Sequence, residues 1–241
     1  MVTPLITGAG TAEEEWRTWE LSGPELELPD TPPLVVAPHP DDEVLGAGGL
    51  LARLADGPGA EIVAVTDGEA SHPHSTVHRP DELAALRRAE TDEALRRLGL
   101  SAPVIHRLGH PDGGVDEATL ADALTRLLTP GRWCLASWRG DGHPDHEAVG
   151  RAAAAACATT GARLVEYPIW TWHWARPADP RVPWDRCSRL PLSDAERAAK
   201  RHALDAFVTQ IRPLGPRPED APILPPDVLA RFDRSVEVFF R

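Results

Sequence analysis

The stretch LVVAPHPDDEVLGAGG, residues 34–49, decides the fold of this chain because it joins a strand pattern directly to a helix pattern. The run Leu34–Ala37 is short, apolar and valine-rich, which is typical of a buried strand. The segment Glu43–Ala55 spaces its apolar residues as a helix does. The imidazole and carboxylates of residues 39–42 stand between the two, at the carboxyl end of the predicted strand, where α/β proteins place their binding sites.

The same alternation continues to residue 167. Further predicted strands are Ile62–Thr66, Val104–Leu108, Trp133–Ser137 and Leu164–Tyr167. The predicted helices between them are Asp81–Leu98, Glu117–Leu128 and Asp145–Ala158. This order predicts an α/β fold, with a Rossmann-like, mostly parallel sheet, helices on both faces and the site at the carboxyl ends of the strands.

The pattern divides the chain into three parts of one domain. Residues 34–167 are the predicted α/β catalytic core. Residues 1–33 contain three consecutive acids and several turn formers, and they are predicted to form an irregular N-terminal arm. Residues 168–241 are predicted to complete the same domain. They comprise an irregular, Trp-rich loop over Pro168–Pro191, a helix over Ser193–Gln210 and a strand over Val236–Phe240.

Length and charge limit the classes of partner. A chain of 241 residues with a formal net charge of −12 suits one acidic domain. An acidic surface repels nucleic acid and anionic lipid, so neither is an expected partner. The sequence contains neither a leader pattern nor a run of about 20 apolar residues, which predicts no membrane association and a cytoplasmic location. We expect a small-molecule substrate. The sequence is compatible with a homo-oligomer.

Two similar tetrads carry the chemistry. His39-Pro40-Asp41-Asp42 follows the first predicted strand, and His143-Pro144-Asp145-His146 follows the fourth. In each tetrad the proline is predicted to be the first residue of a helix, because its fixed φ suits that position. The first and fourth residues of each tetrad then share one helical face.

This arrangement predicts a metal site with His39, Asp42 and His146 as ligands. Two imidazoles and one carboxylate suit Zn²⁺ with an open fourth position. A single His-x-x-Asp is more typical of a helix cap with an ion pair, but two tetrads at the ends of different strands favour the metal. Spacing alone does not separate Asp41 from Asp42. The remaining groups, including His143, match the base and the donor that amide hydrolysis requires.

The chain resembles the LmbE-like (PIG-L) zinc N-deacetylases. The resemblance is carried by the two tetrads and by the glycines that follow the first of them. It is also carried by three motifs in between: Thr66-Asp67-Gly68-Glu69, Arg87-x-x-Glu90-x-x-x-Ala94-x-x-x-Leu98-Gly99 and Leu108-Gly109-His110-Pro111-Asp112-Gly113. It covers residues 34–165, with a weaker similarity at residues 200–210.

The resemblance implies a role for each residue of the tetrads. It implies that His39, Asp42 and His146 bind zinc and that Asp41 is the general base. It also implies that His143 assists at the oxyanion or the leaving group.

Two further residues, Arg87 and Asp112, correspond to substrate contacts in that family. Asp145 is expected to orient a histidine. One position departs from the family pattern: many members have a histidine three residues before the glutamine, and this chain has Phe207 before Gln210.

Two other features have competing interpretations. Gly46-x-Gly48-Gly49 lacks the order of a dinucleotide fingerprint, so close packing of helix on sheet is preferred to phosphate binding. Four tryptophans fall in the predicted loop after residue 167, and they are either packing residues or part of a sugar-binding surface. Trp170 and Trp172 are the candidate substrate contacts among them.

The sequence therefore predicts zinc-dependent hydrolysis of an N-acyl group, N-acetyl above all, from an amino sugar or sugar-containing metabolite. A non-haem iron oxygenase uses the same ligand types, and oxygen uptake with ferrous iron would identify one. A non-catalytic sugar-binding protein on the same fold is the third possibility, which Asp41 beside the predicted ligands argues against.

Overall fold

The computed structural model describes residues 6–241 and contains one seven-stranded sheet. Its strands are Leu34–Ala37 (β1), Glu61–Thr66 (β2), Ile105–His110 (β3), Trp133–Ser137 (β4), Arg163–Tyr167 (β5), Cys187–Pro191 (β6) and Val236–Phe240 (β7). The order across the sheet is β3-β2-β1-β4-β5-β7-β6. Strands β1 to β5 are parallel, and β7 is antiparallel to both of its neighbours. The predicted mostly parallel α/β sheet is confirmed.

Helices cover both faces of the sheet, as predicted. They are Glu13–Arg17 (α1), Asp42–Ala55 (α2), Pro80–Arg97 (α3), Glu117–Leu127 (α4), Pro144–Thr160 (α5), Thr171–Trp174 (α6), Asp194–Leu204 (α7), Val208–Ile211 (α8) and Pro226–Leu229 (α9). Strand β1 shows the two-sided burial: Val35 packs with α2, α3 and α7, and its neighbours Leu34 and Val36 pack with α4 and α5. No helix within residues 6–241 is long and apolar enough to cross a membrane.

The C-terminal part is more regular than the sequence predicts. The segment predicted as the loop Pro168–Pro191 contains α6 and the strand β6. Strand β6 has no clear alternation of its own and is formed because it pairs with β7 along its whole length. The predicted helix Ser193–Gln210 is interrupted after Leu204, where the chain turns to bury Phe207 completely.

The N-terminal arm is attached to the C-terminal part of the chain, residues 168–241. Glu13 forms two hydrogen bonds with Arg234, and the indole N–H of Trp16 donates to the Trp172 carbonyl at 3.0 Å. Farther along, Leu26 N donates to Arg189 O at 2.8 Å, so the arm also covers the outer edge of β6. An edge strand presents unpaired backbone groups, and this contact satisfies one of them.

Close packing explains the glycine at position 46. A Cβ atom added there would overlap the ring of Tyr167. That ring cannot move aside freely, because the buried Tyr167 hydroxyl donates to Val36 O at 2.7 Å. The preference for helix–sheet packing over phosphate binding is confirmed at this glycine.

We predict that Gly46→Ala lowers the free energy of unfolding by about 1–3 kcal/mol, the usual cost of overpacking a core. Gly57→Ala is the matched control, because its nearest neighbouring atom would lie 3.7 Å from the new Cβ. The control should change stability by less than about 0.5 kcal/mol. Urea unfolding monitored by tryptophan fluorescence measures both, and equal stabilities for the two variants would contradict the packing argument.

Candidate metal centre

The carboxyl ends of two adjacent parallel strands bring the tetrads together. His39 lies two residues beyond β1, and Asp42 is the first residue of α2. On the neighbouring strand, β4 leads through a short turn to α5, whose first turn contains His146. Pro144 is the first residue of α5, as predicted, and His143 is its N-cap.

Three side-chain atoms form a small triangle in the interior. His39 Nδ1 lies 3.2 Å from Asp42 Oδ2, His146 Nε2 lies 3.2 Å from the same oxygen, and the two nitrogens are 3.3 Å apart. Tetrahedral ligands placed about 2.0–2.1 Å from a zinc ion are about 3.3 Å from one another. The donor set and the spacing therefore fit a zinc ion, and these three residues are those that the sequence predicts as ligands.

The outer nitrogens of both imidazoles face carboxylates. His146 Nδ1 lies 2.9 Å from Asp141 Oδ2. His39 Nε2 lies 3.1 Å from Asp145 Oδ2 and 3.3 Å from Asp112 Oδ1. A carboxylate on the outer N–H fixes the tautomer and directs the lone pair of the other nitrogen inward, as in many zinc sites. Asp145 thus lies where a group that orients His39 is expected.

A second set of possible ligand atoms comes from His39, His143 and Asp145. It is less suitable for a metal, because its groups have other partners. Asp145 accepts hydrogen bonds from the N–H groups of Gly113 and Val115 at 2.8 and 3.3 Å. His143 Nδ1 accepts one from Asp145 N at 3.2 Å.

Asp41 has an unusual backbone conformation beside the triangle. Its φ is 122°, and it is the N-cap of α2, so the helix begins at Asp42, one residue before the predicted range Glu43–Ala55, and Pro40 lies outside it. Non-glycine residues rarely adopt such a φ, and the strain persists only where surrounding contacts impose it. Here Asp41 N donates to Glu43 Oε2 at 3.2 Å, and the side chain is held by Arg87.

Arg87 is a buried clamp that reaches the site from α3. It is 2% exposed, and its guanidinium donates to Gly68 O at 2.8 Å, Pro40 O at 2.7 Å and Asp41 Oδ2 at 3.2 Å. Gly68 has a φ of +66°, and a Cβ there would collide with this guanidinium. Arg87 lines the cavity, but its visible contacts position Asp41.

Burial and neighbouring charges set the pKa values of the two groups beside the triangle. Burial raises the pKa of Asp41 to about 7, although the guanidinium of Arg87 acts to lower it. Burial lowers the pKa of His143 to about 3, and positive charge on His146 and His39 acts in the same direction. His143 is therefore neutral at physiological pH, and a cation bound beside Asp41 would favour its ionised form as Arg87 does.

A cavity of about 320 Å³ opens over the triangle. Of the residues that the sequence singled out, those in its lining are His39, Asp41, Asp42, Arg87, Asp112, His143, His146 and Trp170. Asp145 lies behind His39. The cavity is of a size for a small ligand, and its lining brings the three candidate metal ligands, a further carboxylate and a further imidazole around one space.

Trp172, the other tryptophan predicted to contact substrate, is not in that lining. It is 6% exposed and packs edge-on against Trp16 with ring centroids 5.0 Å apart. The guanidinium of Arg234 lies 4.2 Å from the Trp172 ring centroid. Because α6 begins at Thr171, Trp170 and Trp172 point to different sides of the segment.

Sequence reasoning missed two residues of the site. Asp141 is fully buried, and besides His146 it accepts hydrogen bonds from three consecutive backbone N–H groups, residues 169–171. The signal in the sequence was a carboxylate only five residues before the predicted ligand His146. Gln210 is 1% exposed and lines the cavity, at the end of the short similarity that the sequence shows at residues 200–210.

A scan against protein families matches residues 34–157 to the PIG-L family, described as GlcNAc-PI de-N-acetylase. The match spans more than half of the 241 residues, and it includes both tetrads. The chain belongs to this family, as its motifs predict.

Individual relatives agree with this membership. A protein of Streptomyces avermitilis named 1D-myo-inositol 2-acetamido-2-deoxy-alpha-D-glucopyranoside deacetylase is 31% identical over 208 residues, which is 74% of this chain and 68% of that protein. Its namesake in Mycobacteroides abscessus is 32% identical over 142 residues, 47% of this chain and only half the length of the relative. A solved structure of a conserved protein from Thermus thermophilus is 30% identical, with a TM-score of 0.60 over 86% of this chain and 93% of that one.

We predict that Asp141→Asn lowers zinc affinity by about 10- to 100-fold, because the amide no longer fixes the tautomer of His146. Asp116→Asn is the matched control, since Asp116 caps α4 by accepting from Thr119 N at 2.7 Å and lies outside the cavity lining. Competition with a chromogenic zinc chelator measures both affinities. Equal zinc affinities for wild type and Asp141→Asn would contradict the assignment.

We also predict that substitutions of two neighbouring tryptophans affect different properties, catalysis for Trp170 and stability for Trp172. Trp170→Leu should lower kcat/KM for substrate by about 2- to 10-fold, the value of an aromatic contact, with little change in stability. Trp172→Leu should lower the free energy of unfolding by about 2 kcal/mol or more and leave kcat/KM within about twofold. Thermal unfolding and steady-state kinetics on both variants measure these effects. A loss of kcat/KM in Trp172→Leu and a loss of stability alone in Trp170→Leu would contradict the positions assigned to the two rings.

Proposed function

We propose that this protein is a zinc-dependent N-deacylase that releases an N-acyl group, N-acetyl in the first instance, from an amino sugar or a sugar-containing small molecule. The observation that carries the proposal is the ligand triangle with Asp41 and His143 beside it in one cavity. The triangle suits zinc, and neither of the two additional groups is needed to hold the ion. The names of the relatives support an acetamido sugar as the substrate class.

His39, Asp42 and His146 would hold the ion. Bound zinc supplies a Lewis acid for an amide carbonyl and makes water a nucleophile near neutral pH. Asp41 takes the proton of the attacking water and returns it to the departing amine, because its carboxylate lines the cavity next to the ligand Asp42, whereas that of Asp112 is bound to Ala70 N and His39. Arg87 keeps this carboxylate in place through the hydrogen bond to Oδ2.

His143 acts as a donor in this scheme. Its Nδ1 accepts a hydrogen bond from Asp145 N, so in the neutral ring the proton is on Nε2. The same imidazole lines the cavity, where an Nε2–H group can stabilise the negative charge that develops on the amide oxygen. The low pKa of His143 is consistent with a neutral hydrogen-bond donor rather than a proton acceptor.

Polar groups in the lining of the cavity support the sugar part of the proposal. Asp112 lines the cavity while its carboxylate is fixed by Ala70 N at 2.9 Å and by His39. Gln210 lies in the same lining, and the adjacent Thr209 is anchored by two hydrogen bonds to Glu90. Fixed acceptors and an amide in the lining of a site are suited to sugar hydroxyl groups.

Release of free amine from N-acetylated amino sugars tests the proposal. Zinc-loaded protein should release amine, and a chelator should abolish the reaction until zinc is restored. Asp41→Asn should retain zinc while kcat falls by about 10²–10⁴, the scale of general acid–base catalysis. Asp42→Asn, the adjacent matched variant, should lose zinc. A wild-type kcat in Asp41→Asn would contradict the role of Asp41 as the base. Failure to release amine from any amide would refute the proposed function.

A further inference from the structure

The two sides of the cavity differ in polarity along the edge of the sheet. The strands that end there follow the order β3-β2-β1-β4-β5, with the triangle at β1 and β4. On the β3 and β2 side the lining contains the charged residues Asp112 and Arg87 and the hydroxyl group of Ser71, beside the small apolar residues Ala70 and Pro73. On the β5 side, Ile169 and Trp170 follow the strand directly. The ligand triangle therefore separates a polar half of the cavity from an apolar half.

The apolar half is built from three distant parts of the chain. We define the apolar wall as five apolar residues of the lining, Ile6, Ile169, Trp170, Ile223 and Leu224, of which Ile169, Trp170 and Leu224 also line a small neighbouring cavity together. The first comes from the N-terminal arm, the next two follow β5, and the last two lie between α8 and α9. The wall is open to a ligand because three of its members, Ile6, Trp170 and Ile223, are only partly buried.

Hydrogen bonds to the backbone hold the three segments that carry the apolar wall. Asp141 binds the backbone N–H groups of residues 169–171, and Leu224 N donates to Gln210 O at 2.9 Å. The N-terminal arm is attached through Thr11 N, which donates to His173 O at 2.7 Å. Arg231 adds a bond to Ala9 O at 2.7 Å. The wall is thus a fixed surface.

An amide substrate has two halves that leave the scissile bond in opposite directions. A sugar needs hydrogen-bonding partners for its hydroxyl groups, and an apolar surface leaves such groups unpaired at a cost. The sugar half therefore belongs on the side of Asp112, and the acyl half then extends towards the apolar wall. An acetyl group presents only one methyl group to the apolar wall, so most of the surface of the wall is left without a contact.

We propose that the preferred substrates carry an N-acyl group longer than acetyl, with the chain packed on the apolar wall. This inference rests on the proposed N-deacylase function and specifies its substrate class. The cavity volume of about 320 Å³ is at the lower end of small-molecule sites, so a chain of about four to six carbons is the expected length.

The test is a series of glucosamine amides that differ only in the acyl group: acetyl, butanoyl and hexanoyl. Each buried methylene group contributes about a fourfold gain, so the two methylene groups added from acetyl to butanoyl should raise kcat/KM about 16-fold. Ile223→Ser removes apolar surface from the wall, and it should reduce this ratio to about three or less. Val104→Ser is the matched control, because Val104 is 53% exposed and outside the cavity lining, and it should preserve the ratio.

Hydrolysis of the acetyl amide with a flat or falling series would overturn the acyl inference and leave the proposed function intact. The inference would also be overturned if kcat/KM rose with an alkyl group on the sugar, from methyl to hexyl N-acetylglucosaminide, and not with the length of the acyl group.

A second experiment tests the apolar wall without turnover, by calorimetric comparison of hexanoate and acetate binding to zinc-loaded protein. Tighter binding of hexanoate that is lost in Ile223→Ser is the expected result, and equal affinities would contradict the inference even if no amide were hydrolysed.

Discussion

The structure depends on the convergence of three ligand atoms, each within about 3.3 Å of the others, inside a cluster that contains more carboxylates than cations. Burial acts to lower the pKa of His146, but Asp42 and Asp141 raise it to about 9. His39 shows the same direction, because three carboxylates outweigh burial and raise its pKa. Raised imidazole pKa values mean that the cluster attracts positive charge, and a divalent cation supplies it with better geometry than two protons do.

The positions of the three candidate metal ligands could be predicted from sequence because they depend on local rules. A tetrad directly after an apolar run places polar groups at a strand end, and a proline at the start of a helix fixes the direction of the side chains in the following turn. His143-Pro144-Asp145-His146 obeys this rule in full. The first tetrad obeys it only in part, because Asp41 adopts a positive φ that depends on Arg87, forty-six residues away.

The rest of the site depends on contacts between distant segments, for which the sequence has no periodic signal. Asp141 serves two elements at once, orienting His146 and binding the backbone at residues 169–171. Strand β6 exists through its pairing with β7, and Trp172 is buried by the N-terminal arm rather than exposed to the cavity. Composition showed that the tryptophans were unusual, but only the packing separates Trp170 from Trp172.

X-ray absorption at the zinc edge of the loaded protein tests the central claim most directly. The ligand triangle predicts one zinc per chain with two imidazole nitrogens and carboxylate oxygen at about 2.0–2.1 Å, and in His39→Ala either the loss of zinc or the loss of one imidazole from its coordination shell. His106→Ala is the control, because His106 pairs with Glu61 outside the cavity and should leave the spectrum unchanged. Sulfur in the first coordination shell, or an unaltered imidazole count in His39→Ala, would contradict the account.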